Sequence, residues 1–92
     1  MLEAITTKRL VEAVYNGVTT RLAPHLLFER YGELYVSAVN VGKVRKFDEA
    51  PRLGQYKLSG LADCRLTAEN FDPLPAHVVA TPRTDDELVL AV

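Results

Sequence analysis

The chain has 92 residues, of which 48% are apolar and 25% charged, with a formal net charge of −1. That size admits one domain with one core, and the composition is that of a globular chain, not a disordered one. A near-neutral balance supplies no global attraction to nucleic acid or to an anionic membrane, so binding of that kind needs a local patch.

Cys64 stands alone, which excludes an intrachain disulfide and a thiolate zinc cluster. Near Leu61 and Leu66 it is expected to be a small core residue, because free cysteines tend to be buried. No apolar run approaches the roughly 18 residues of a membrane span, and no signal peptide is visible. The cytoplasm is therefore the default location.

Residues 2–8 read as a short helix. Leu2 and Ile5 share a side, Glu3 sits near the N-terminal end, and Lys8 and Arg9 close the C-terminal end, an order that suits the helix dipole. So short a helix needs support from a sheet. Residues 10–15 switch to strand alternation, with Val11, Ala13 and Tyr15 on one side. Asn16-Gly17 is a strong hairpin signal because both positions accept positive φ. Residues 18–22 return as the next strand.

Pro24 cannot donate to a ladder and biases Ala23 to extended geometry, so a bend or bulge is expected there. Residues 25–28 resume the strand, and Tyr31-Gly32-Glu33 supplies the next reversal. Residues 34–41 form the longest strand-like run, with Tyr35, Ser37 and Val39 on one face and Leu34, Val36 and Ala38 on the other. Gly42 ends it.

Residues 42–55 form a long connection carrying Lys43, Arg45, Lys46 and Arg52 against Asp48 and Glu49. Loops of that length are often functional. Residues 56–58 and 61–66 read as two further strands, and residues 67–71 as a turn. The expected core holds Val11, Leu22, Val36, Ala38, Leu58 and Leu61. A first unit spans residues 1–72. Residues 73–92 form a C-terminal extension: Pro73 and Pro75 favour an extended path, and Thr84 can cap a short helix opened by Asp85, Asp86 and Glu87.

For catalysis there is no nucleophile–base pair, no pair of carboxylates placed for acid–base work and no phosphate-binding glycine motif. His25 and His77 have no third ligand at a recognisable spacing, so no metal site is expected. The chain is read as non-enzymatic and free of cofactors.

The order helix, Tyr15-x-Gly17 hairpin, Arg21-x-x-Pro24-His25-x-Leu27, turn, Leu34-Tyr35-Val36 strand, then Tyr56-Lys57-Leu58 resembles the WYL domain. Ala4-Ile5, Leu26 and Leu61 fit the same order, and the stretch from Phe71 through Pro82-Arg83 to Asp86 is similar to the segment C-terminal to that domain in one branch of the family. Members are ligand-sensing modules usually fused to winged helix-turn-helix transcription factors. The resemblance implies a mainly β fold: an Sm-like small β-barrel of five bent strands with a short N-terminal helix, here standing alone without the helix-turn-helix.

It also implies a groove for a nucleic-acid or nucleotide-like anion, linked to transcriptional regulation. By position its residues are Tyr15, Arg21, His25, Tyr35 and Lys57. Apart from the resemblance, the loop cations Lys43, Arg45 and Lys46 are either a solvated loop or further contacts that supply the local positive field the net charge lacks. Arginine's rigid fork suits phosphate oxygens, histidine can donate to phosphate, and tyrosine faces can stack on bases. The expected partner is single-stranded nucleic acid or a nucleotide-like ligand, with a regulatory protein or a second copy as a further partner. One departure stands out. The stretch Gly54-Gln55-Tyr56-Lys57-Leu58-Ser59-Gly60-Leu61 occupies the place of an arginine-rich run, and Gly54 and Gly60 replace two of its cations. The alternative reading is a protein–protein interaction or self-association module whose anion groove has decayed.

Overall fold

The structure is a computed structural model that describes residues 1–41, 53–75, 77–83 and 85–92. Its order is helix α1 (Leu2–Thr7), strands β1 (Arg9–Tyr15), β2 (Val18–Arg30), β3 (Glu33–Asn40) and β4 (Gly54–Lys57), a 3-10 turn (Leu58–Gly60), then β5 (Leu61–Asn70) and β6 (Glu87–Ala91). The six strands form one antiparallel sheet in the order β4-β3-β2-β1-β5, with β6 added to β2. The fold is mainly β, as expected. Among the described residues it has six strands where five were expected, and their sheet is not closed: β4 and β5 end the row as two separate edges.

Two hairpin turns set the register. Asn16 and Gly17 have φ of 51° and 75°, and Tyr31 and Gly32 have φ of 51° and 76°. Both are two-residue turns, closed by the pairs Tyr15↔Val18 and Arg30↔Glu33. Positive φ at both central positions matches the twist of the flanking strands. Lys8 stops α1 in the same left-handed conformation, its N–H reaching back to the Ile5 carbonyl.

β2 is the longest strand because it serves three partners. Residues 18–22 pair with β1, residues 22–30 with β3, and residues 26–29 with β6. Pro24 brings the expected bulge: Pro24 faces Ala38 and Leu26 faces Ser37, which leaves His25 as the extra residue. Where β1 leaves the edge of β2, β6 fills it.

The main core joins Ile5 of α1 to Ala13, Leu22, Leu27, Val36, Ala38 and Leu61, with Met1, Tyr15, Tyr56, Leu58 and Leu90 against it. A smaller cluster on the other face holds Leu10, Ala23 and Val39, covered by Leu53, Phe71 and Leu74. Coverage of both faces explains why every residue from Leu22 to Phe28 is buried. Of the expected core, Val11, Leu22, Val36, Ala38 and Leu61 are buried and Leu58 is half-buried.

Three expectations are corrected. Residues 67–71 are not a turn, since β5 runs to Asn70. It does so irregularly, with register shifts on either side of its Leu66↔Val11 and Arg65↔Glu12 pairs, and the Thr67 hydroxyl donates to the Leu10 carbonyl across one of them. Cys64 is exposed, not a core residue, because it and Asp63 bulge out between the pairs Val14↔Ala62 and Glu12↔Arg65. The C-terminal segment ends in a strand, not a helix. A short helix there would have left the outer edge of β2 unpaired, and Leu90 reaches the core from the strand instead. The expected cap, Thr84, lies outside the described residues. Among the described residues, no helix is long and apolar enough to cross a membrane.

Candidate functional site

Strand alternation sorts the expected groove residues by face. Leu22, Val36 and Tyr56 point into the main core, so their neighbours Arg21, Tyr35 and Lys57 point to the opposite face. Tyr15 packs on the core side. Its ring meets Tyr56 edge-on, with centroids 5.1 Å apart and planes at 83°.

Arg21, Tyr35 and Lys57 share a face without sharing a site. Lys57 is the cross-strand neighbour of Tyr35, and its ammonium lies 2.9 Å from the Glu33 carboxylate. The hydrogen bond and charge of Glu33 raise the Lys57 pKa. A depression of about 440 Å³, lined by Gly32, Glu33, Leu34, Leu58 and Ser59, adjoins this pair. Arg21 is elsewhere. It precedes Phe28, the partner of Tyr35, by seven positions of β2, or roughly 20 Å of strand. Its guanidinium is paired with Glu69 at 2.6 Å. One phosphate cannot bridge that gap.

His25 is a structural residue. It is 1% exposed, its Nδ1–H donates to the Ala23 carbonyl at 2.8 Å, and its Nε2 accepts the Leu74 N–H at 3.0 Å. Its ring lies against Phe71 with centroids 5.0 Å apart. Burial lowers its pKa, only partly offset by the bond to Ala23. A ring with both nitrogens occupied offers nothing to a ligand, and acid works against this geometry. Lys43, Arg45 and Lys46 lie outside the described residues.

The most developed polar arrangement is one the sequence did not reveal. Arg30 sits against the stacked rings of Phe28 and Tyr35, which are 5.6 Å apart at 11°. Its guanidinium carbon is 5.3 Å from one centroid and 5.1 Å from the other. From there it donates twice to Asp86, Nε to Oδ1 at 2.8 Å and Nη2 to Oδ2 at 3.0 Å. The Asp86 side chain is fully buried and also accepts the Arg83 N–H at 2.9 Å. These bonds raise the Arg30 pKa and hold the Asp86 carboxyl below the usual carboxylate range, although burial acts the other way. Beside it the Tyr31 hydroxyl donates to Asp85. Residues 56 positions apart carry no local signal of such a pair, and alternation places Phe28 and Arg30 on one face without naming the carboxylate.

The arrangement ties the segment that leads into β6 to the end of β2. Among the described residues no group of three His, Cys, Asp or Glu side chains is placed to hold a metal ion. Compared with protein-family models, with curated proteins and with solved structures, the chain matches none of them.

Proposed function

We propose that the chain is a non-enzymatic association module that meets other protein chains through the apolar surface around β6. What carries this reading is the exposure of large apolar side chains on β6 and on the elements next to it. Leu88 and Val89 of β6 are 59% and 50% exposed, and Leu2 of α1, a helix in contact with β6, is 54% exposed. Tyr31, 83% exposed, is tied by its hydroxyl to Asp85 just before the strand. A single exposed apolar residue is ordinary, but several around one edge strand favour contact with another surface. The cations of the expected groove point the same way: Arg21 and Lys57 are each held by a carboxylate.

Sedimentation velocity over a wide concentration range, on the wild type and on Leu88→Lys, tests the reading. The wild type should show reversible, concentration-dependent association, and Leu88→Lys should remove it without changing the circular dichroism spectrum. A wild type that stays monomeric throughout counts against the module as a self-associating one.

A second reading is a sensor for a nucleic-acid or nucleotide-like anion linked to transcriptional regulation. It takes in the resemblance to the WYL domain and an Sm-like closure of the sheet. Its support is the pairing of Tyr35 with Lys57 next to the depression lined by Leu34 and Leu58. Titration with short single-stranded oligonucleotides at two salt concentrations decides it. Binding that weakens with salt, as phosphate contacts require, and weakens again in Lys57→Ala would place this reading first.

A further inference from the structure

We propose that the edge of β2 that receives β6 is a strand-acceptor site, and that it takes the same segment from a second copy of this chain, giving a dimer with exchanged C-terminal strands. This deepens the association reading by naming the partner, and it rests on that reading only in requiring a protein chain.

The acceptor is built for one kind of strand. Arg30, held against two aromatic rings, requires a carboxylate at the position of Asp86. Residues 26–29 of β2 then pair with Glu87–Ala91, Leu90 enters the main core, and the Val92 N–H donates to the His25 carbonyl at 2.9 Å. All of these contacts are made by residues beyond the connection that leaves β5. Nothing in them requires that connection to come from the same molecule.

The connection permits the exchange. It is anchored as far as Leu74, by the Phe71 N–H on the Lys8 carbonyl and by Leu74 on His25. From there to Asp86 the backbone hydrogen bonds among the described residues are local, such as Val78 N–H to Pro75 O and Ala80 N–H to Val78 O. Residues 75–85 can span roughly 35 Å when extended, about the longest dimension of the molecule, 33 Å. The donor strand can therefore reach the acceptor of an adjacent copy. Exchange remakes identical contacts, so it loses little. Tethering favours the closed form up to roughly millimolar protein, and the dimer should grow only in concentrated samples or after refolding at high concentration.

A charge-reversed pair tests this directly. In Arg30→Asp the acceptor repels its own Asp86, and in Asp86→Arg the acceptor repels its own arginine. Mixed, each offers the strand that the other accepts. Light scattering should show each variant alone as a monomer, the 1:1 mixture at doubled mass, and the double variant Arg30→Asp/Asp86→Arg as a monomer again. Folded variants whose mixture stays monomeric overturn the proposal. If either variant fails to fold, the wild type is incubated with a labelled peptide of residues 81–92 and followed by anisotropy. Slow capture, at least tenfold weaker for an Asp86→Ala peptide, supports exchange, and no capture overturns it. Fast association of the wild type that Leu88→Lys removes, with no heterodimer from the reversed pair, leaves the association reading intact and rejects exchange.

Discussion

The Nε2 atom of His25 accepts the backbone N–H of Leu74 at 3.0 Å, across 49 positions of sequence. The bond joins the bulge of β2 to the chain leaving β5, and it needs an unprotonated nitrogen. Burial lowers the His25 pKa below its ordinary 6.5, so the unfolded chain takes up a proton that the folded chain resists. The linkage has one sign. Stability is complete above about pH 6.5 and falls as the pH drops from there toward the folded-state value.

Urea unfolding of the wild type should therefore show stability falling as the pH drops from 7.5 to 5.5. His25→Gln should be less stable at pH 7.5 and flatter across that interval. Parallel curves for the two proteins would remove His25 as the titrating group. A phosphate-binding role for His25 would have the opposite sign, because protonation would strengthen that contact.

The Asn16-Gly17 turn yields a second expectation. Gly17 has φ of 75° and open space where a Cβ would sit, so the cost of a side chain there is conformational and not steric. Gly17→Val should destabilise by about 1 kcal/mol or more, because a β-branched residue resists that conformation. Thermal denaturation checks it, and an unchanged melting temperature would contradict the turn.

What could be read in the sequence was local. Asn16-Gly17, the Pro24 bulge and the alternation of Val36 and Ala38 each follow from a few adjacent residues, and each is found in the fold. The C-terminal strand was missed because Asp85, Asp86 and Glu87 suit a helix start as well as a strand start. The choice was made by an edge of β2 that no nearby residue announces. The candidate site was legible only as residue types. Arg21 and Tyr35 share a face, yet the distance along β2 that separates them depends on register. Neither Glu69 nor Glu33 could be named in advance as the carboxylate that neutralises a cation.

Cys64 gives a third test. It is exposed on a bulge of β5, beside a depression it lines with Glu12, Asp63 and Arg65. A thiol reagent added in native buffer should label one cysteine per chain as completely as in denaturant. Cys64→Ser should change stability by no more than about 0.5 kcal/mol, as expected away from the core. Slow labelling that requires unfolding would restore the buried assignment.

The Arg30–Asp86 pair makes the last prediction, in acid. Arg30 donates twice to a fully buried carboxylate, and its hydrogen bonds hold the Asp86 pKa below the ordinary value of 3.8. A depressed carboxylate contributes stability that is fully present above its unfolded value, and that stability is lost as the pH falls through the folded value. The window is therefore below about pH 4. At pH 7, Asp86→Asn should lower the melting temperature by more than about 5 °C, the scale on which one buried contact moves a domain of this size. Asparagine keeps the shape but leaves Arg30 without a counter-charge among its aromatic neighbours. As the pH falls below 4 the wild type loses the same interaction, so the gap between the two melting temperatures should close. Scanning calorimetry from pH 7 to pH 2.5 measures both curves. A gap that stays constant through that range would show that the carboxylate's charge does not hold the C-terminal strand on β2.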